Sequence, residues 1–215
     1  MPYHYEETDA FMESVSEVER LVDLAKSDDV NRDLFLKLAM VSLVTKFQVF
    51  VQQSLSSFRE SLVGIRSKKL TRYSKMNSLY LAFDDGNPLL KLKNRKDFSE
   101  NSKEEIVKFL KSIDYITNDE AVISDEFKFN CRFPLGKTGK KELISLLKQI
   151  KGDENPFSSF VDENLDQLNS ILQKRHTTVH SDRLSGTEES VTNDINYIKA
   201  LVKYIDDYLF ANKVS

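Results

Sequence analysis

Cysteine is nearly absent from this chain: Cys131 is the only one in 215 residues. No intramolecular disulfide and no Cys-based metal cage can form, which fits a reducing cytoplasm. Six glycines and four prolines are also few, and nearly all fall between periodic segments, which argues against a sheet architecture with its frequent turns. The most apolar stretch, LFLKLAMVSLVTKFQVFVQQSL at 34–55, is not free of polar groups but holds Lys37, Lys46 and three glutamines. A central buried helix explains it better than a membrane helix, so no membrane partner is expected. The N-terminal MPYHYEETDA has neither a basic n-region nor an apolar h-region, and a cytoplasmic protein without a secretory signal is expected.

What is present is charge, unevenly placed. The net charge of -3 is the sum of an acidic start and a basic middle. Residues 1–33 carry ten acidic side chains against Arg20, Lys26 and Arg32, and residues 64–96 carry nine basic ones against Asp84 and Asp85. A mixed solvated surface is the plain account. The sharper one is a track for a polyanion through RSKKLTRYSK and KLKNRK, with Lys68, Lys69 and Arg72 as nucleic-acid-binding candidates and Lys137, Lys140 and Lys141 as the next.

Apolar positions recur at spacings of three and four through most of the chain, which predicts helices over about 9–27, 32–63, 70–83, 99–116, 138–152, the 160s to 180 and 188–210. The second is apolar almost all round, with Leu34, Leu38, Val41, Leu43, Phe47, Phe50 and Val51, and is expected to be the enclosed spine of the fold. Asn31 is positioned to cap it. In FKFNCRF, Phe127, Phe129, Cys131 and Phe133 alternate with Lys128, Asn130 and Arg132, the period of a half-buried extended segment. An irregular or short extended insertion is therefore expected around 121–135. Ser185 and Glu188 stand at capping-box spacing before the last helix. No linker or internal repeat divides the chain, so residues 1–215 read as one all-α domain.

Most motif-like strings dissolve on inspection. LGKTGK at 135–140 contains the Gly-Lys-Thr of a phosphate-binding loop, but Cys131 stands where that loop needs a glycine. His176 and His180 share a helical face at i and i+4; Thr177 replaces the glutamate of a zincin and no third ligand is evident, so no metal and no cofactor are expected. Asp206 and Asp207 are expected to be solvated. There remains QKRHTTVHSD at 173–182, with Arg175 and His180 five residues apart. On an unbroken helix they point about 140° apart, so a joint role needs a long arginine, a helix ending near His180, or a second copy of the motif. Spacing alone equally describes a helix C-terminus whose cations suit the macrodipole.

The setting of that string, a penultimate helix running through LNSILQKRHTTVHSD, then a polar turn and a capped terminal helix, resembles the HEPN superfamily. Its motif of arginine, a polar residue, three variable residues and histidine is matched by Arg175, His176, TTV and His180. TKFQVFVQQ at 45–53 is similar to an Ala-Phe-Glu-x-Phe-like core with Gln48 in place of the acid, and RFPLGKTGKKELISLLKQI and ENPF look like segments of the toxin-antitoxin and phage-defence branch. The resemblance implies an all-α HEPN-like helical bundle and a metal-independent endoribonuclease acting as a toxin or defence effector. It also implies a homodimer with motifs from both protomers in one cleft, and an antitoxin or other defence-system protein as partner. Arg175 would polarise the phosphate of an RNA substrate, His180 would act as base or acid, and His176 is the secondary candidate. Two rivals stand beside this: a non-catalytic RNA- or protein-binding module, and a purely structural helical interaction protein.

Overall fold

The apolar period of the first segment becomes α1 (Glu6–Ser27), which buries Phe11, Val15, Val18, Val22 and Ala25 and turns most of its acids outward. The computed structural model describes residues 3–84, 100–134, 139–158, 160, 165–181 and 186–214. Among them the chain forms α1, α2 (Arg32–Ser61), α3 (Arg72–Asp84), α4 (Glu100–Thr117), α5 (Gly139–Lys151), α6 (Asp166–Ser181) and α7 (Glu188–Ala211), with one short 3-10 turn at Ser67–Lys69. No named strand occurs among the described residues, and the all-α expectation holds.

By internal contacts the chain forms two compact units, Met1–Leu55 with Arg132–Ile144 and Phe157–Ala211, and Ser56–Cys131 with Ser145–Pro156 and Asn212–Ser215. In the first, α1 packs along α7, whose Val191, Ile195, Ile198, Leu201, Val202, Ile205 and Leu209 are all buried. Each such side chain withdrawn from water stabilises the fold by about 1.5–3 kcal/mol before entropy is counted. Arg32 donates from its guanidinium to Glu188, tying the start of α2 to the start of α7. The cap of α7 is Thr187, whose Oγ1 accepts from Ser190 N–H at 3.2 Å; Ser185, named from the sequence, lies outside the described residues. At the start of α2 the Asn31 side chain turns back to donate to Asp28 Oδ2, and Asp28 Oδ1 accepts from the N–H of Val30 and Asn31. Asp28 therefore shapes the turn, where Asn31 was expected to cap.

The expectation that α2 is enclosed almost all round fails in its first turns. Leu36, Met40, Leu43, Phe47 and Phe50 are buried, but Leu34 is 53% and Leu38 48% exposed. The helical period places the latter pair about 200° round the axis from Leu36 and Met40, so one apolar face suffices for the core and the other faces outward. α2 is long and apolar enough to cross a membrane by composition, yet its buried residues belong to a protein core.

In the second unit α3 packs on α4, with Phe83 and Phe109 in tilted contact at 6.2 Å. The stretch after α2 pairs with the one after α4: Gly64 N–H donates to Ile123 O, Ile123 N–H to Ile65 O, and Ser67 N–H to Ala121 O. The period-two segment is irregular and forms no named strand among the described residues. Ser78 Oγ accepts from Lys128 N–H at 2.9 Å, Gln149 Oε1 accepts from Asn130 N–H at 2.9 Å, and Gln149 Nε2 donates to Asn130 O at 2.7 Å. Helix side chains thus satisfy backbone groups that a neighbouring strand would otherwise pair. Gly152 ends α5 with φ +89°, its N–H on Lys148 O, and an added Cβ would lie 2.8 Å from Tyr73 Cγ.

Glu126 follows the same logic of local satisfaction. Hydrogen bonds from Lys111 and then Ser124 bring its carboxyl down from 4.5 to about 2, with burial opposing. A carboxyl lowered on folding contributes stability above its unfolded value and loses that contribution as pH falls through the folded one. The thermal midpoint of Glu126→Gln should therefore lie below that of the unsubstituted protein at pH 6, and the gap should close by about pH 2. A gap that is constant from pH 6 to pH 2 would show that the charge of Glu126 contributes nothing.

Candidate functional site

The string that stood out in the sequence occupies the C-terminal half of α6, which stays helical through Ser181. Leu168, Ile171 and Leu172 anchor the helix in the first unit, and the start of α5 fits closely against it. Lys140 N–H donates to Asn169 Oδ1 at 3.0 Å, and a Cβ on Gly139 would come within 2.1 Å of Leu172 Cδ1. One turn further on, Lys174 is fixed to α7: its Nζ donates to Asp194 Oδ2 at 2.6 Å and Ser190 Oγ at 3.0 Å. Asp194 is 3% exposed. Burial pushes its carboxyl up, while Lys174 and Gln167 pull it back. Lys174, Ser190 and Asp194 were not singled out from the sequence, because nothing in one helix's spacing shows which residue of another faces it.

With Lys174 clamped, the adjacent positions are oriented. Arg175 is half-buried, and its Nε is buried with no hydrogen-bond acceptor among the described residues. His176 is half-buried and His180 exposed; their ring centroids lie 4.3 Å apart with the planes tilted by 51°. The i, i+4 pairing of the imidazoles is thus real. Arg175 and His180 remain about 140° apart round an unbroken helix, so a single copy does not direct both at one point by backbone geometry. The arrangement offers a guanidinium with a donor unmet among the described residues, next to a pair of imidazoles that can donate or accept hydrogen bonds.

The other basic candidates fall in different places. Lys68 and Arg66 pair with Glu120 at 2.6 and 2.8 Å, and Lys75 pairs with Asp119 at 3.4 Å. The acids just after α4 thereby return to offset part of the basic middle. Lys69 and Arg72 are exposed in the same unit. KLKNRK at 91–96 and Lys137 lie outside the described residues. Lys140 and Lys141 are in the first unit with Arg175; Lys140 pairs with Asp166 at 2.9 Å and Lys141 is exposed.

Gln48, standing where an acid was expected, has a role of its own. Its Nε2 donates to Phe133 O at 2.8 Å, a bond that an ionised carboxylate could not make, and Phe133 packs edge-on against Phe47. The expectation of a solvated Asp206 is overturned. It is 1% exposed, and its Oδ2 accepts from His4 N–H at 2.9 Å while Oδ1 accepts from Tyr5 N–H at 3.0 Å and Thr8 Oγ1 at 2.7 Å. From α7 it thus holds the two residues that lead into α1 and the Thr8 hydroxyl of its first turn. Asp207, by contrast, is exposed. His4, Asp206 and Asp207 bring three possible metal-ligating atoms within 4.8 Å of one another. Both oxygens of Asp206 are already taken by the hydrogen bonds from His4, Tyr5 and Thr8.

The family model described as RiboL-PSP-HEPN matches residues 11–211, a span that contains α6 and the whole of the Arg175 to His180 string. No curated protein and no solved structure matches the chain.

Proposed function

Since the chain belongs to the RiboL-PSP-HEPN family of the HEPN superfamily, whose domains are RNase-like or nucleotide-binding modules, we propose that it is a cytoplasmic, metal-independent endoribonuclease acting as a toxin or defence effector. The observation that carries this reading is the half-buried Arg175 guanidinium beside the paired imidazoles of α6, whose Nε has no acceptor among the described residues. Leaving such a group unmet costs about 1–3 kcal/mol or more. A phosphate oxygen of RNA supplies the acceptor and the opposite charge together.

The chemistry needs few parts because RNA brings its own nucleophile. His180 removes the proton of a 2'-hydroxyl, that oxygen attacks the neighbouring phosphorus, and the bond to the 5'-oxygen breaks as that oxygen takes up a proton from a second imidazole. Arg175 neutralises the phosphate as charge builds on its oxygens. His176, 4.3 Å from His180, or His180 of a second copy provides the acid. A two-fold dimer through α6 and α7 resolves the 140° divergence, since arginine and histidine from opposite copies can then converge. Lys140, Lys141, Lys69 and Arg72 would add phosphate contacts. An antitoxin or other defence protein would act by covering this cleft.

Cleavage should persist in EDTA and cease on 2'-deoxy substrates, leaving 2',3'-cyclic phosphate and 5'-hydroxyl ends that mass spectrometry of the products identifies. A requirement for magnesium or manganese, or 5'-phosphate ends, would refute the mechanism. The second reading is a non-catalytic RNA- or protein-binding module. What favours it is that His180 is exposed and has no hydrogen bond among the described residues to orient its ring, whereas a general base is ordinarily held by a third group. Retention of RNA without any cleavage would decide for the module.

A further inference from the structure

The second unit contains a cavity of about 510 Å³, within the range of small-ligand sites. Its lining brings together Arg59 from the end of α2, Lys108 from α4, and Lys128 and Phe129 from the period-two segment. These four come from three stretches of chain distant in sequence, and all four are half-buried. Arg59 is held in place, its Nη2 donating to Asp125 O at 2.6 Å. Lys108 makes no ion pair among the described residues. Two acids also line the cavity, Asp125 and Glu126, but the Glu126 carboxylate is already occupied by Lys111 and Ser124. The lining therefore carries three cations, Arg59, Lys108 and Lys128, against two acids. Phe129 contributes an aromatic side chain, supported from behind by Phe58 at 5.8 Å, and the exposed Asn130 adds an amide at the edge.

Cations beside an aromatic surface, with an amide at the rim, suit one class of ligand: an unstacked nucleotide, with its phosphates on the cations and its base against the ring. We propose that this cavity is a subsite for one nucleotide of single-stranded RNA, separate in the chain from the Arg175 to His180 string and belonging to the other compact unit. The choice of RNA rests on the ribonuclease reading given above. The subsite adds substrate retention and a preference for unpaired segments, since a base held in a duplex cannot reach an aromatic ring.

Binding and cutting are measured separately. A short fluorescent oligoribonucleotide carrying 2'-O-methyl groups cannot be cleaved by 2'-hydroxyl attack, and its anisotropy reports affinity alone. With the full chain, Lys108→Glu with Lys128→Glu should weaken binding at least tenfold and reduce the slope of log affinity against log salt by about two. Phe129→Leu, which preserves bulk against Phe58, should weaken binding about fivefold or more through lost stacking while leaving the salt slope alone. Lys151→Glu, exposed in the same unit but outside the cavity, should change affinity much less. Unaltered melting curves certify the fold of each variant. The proposal is overturned by unchanged affinity in the cavity variants, by an equal loss in the Lys151 variant, or by no binding of the oligonucleotide by the unsubstituted protein. Cleavage of unmodified RNA in parallel distinguishes the two readings. Cutting with cavity-independent binding removes the subsite and keeps the ribonuclease, and cavity-dependent binding without cutting does the reverse.

Discussion

His180→Ala is expected to lower the single-turnover rate of RNA cleavage by about 10²–10⁴-fold, the range for loss of a general acid or base, with an unchanged melting temperature because His180 is exposed on the last turn of α6. Arg175→Ala should give a loss of similar size by removing the charge that meets the phosphate. If each site draws its arginine from one protomer and its histidine from the other, mixing the two inactive variants restores activity. Random reassortment of a two-fold dimer then leaves about a quarter of the sites with both residues intact. Variants that stay inactive when mixed, although exchange of protomers is demonstrated, would place both residues in one copy. A monomer by light scattering that still cleaves would also rule out the shared site.

Asp206→Ala is expected to destabilise the protein by about 3–5 kcal/mol, since it leaves the Thr8 hydroxyl and the N–H groups of His4 and Tyr5 without their acceptor in a buried or part-buried setting. For a chain of this length that corresponds to a fall of roughly 10 °C in melting temperature. Asp207→Ala, one position along and exposed, should change stability by no more than about 0.5 kcal/mol. Differential scanning calorimetry of the pair checks this, and equal effects would show that the buried carboxylate carries no special share of the stability. The contrast is between neighbouring carboxylates that sequence alone treats alike.

Periodicity placed the helices because the 3.6-residue repeat is a local property: α1, α2 and α4 to α7 begin and end within a few residues of where apolar spacing and breakers put them. The string at 173–182 was legible for the same reason, being contiguous and accompanied by recognisable neighbours. What periodicity could not give was the outward face of α2, because an apolar residue at a helical position is compatible with either side when a single face fills the core. Nor could it show that the period-two segment stays irregular, its backbone bonded to Ser78 and Gln149 on two separate helices.

The sequence by itself determined an all-helical chain with its irregular segment, the family, and the identity of the arginine and two histidines on one helix. Tertiary structure decided everything that depends on residues remote in sequence meeting in space. It buried Asp206 against Thr8 of α1, set Lys174 on Asp194, buried Arg175 Nε, and drew Arg59, Lys108 and Lys128 round one cavity. The reason is physical. Backbone preference and amphipathic spacing act over a few residues, whereas burial, desolvation and charge pairing depend on which surfaces meet, and that is fixed only when the helices pack.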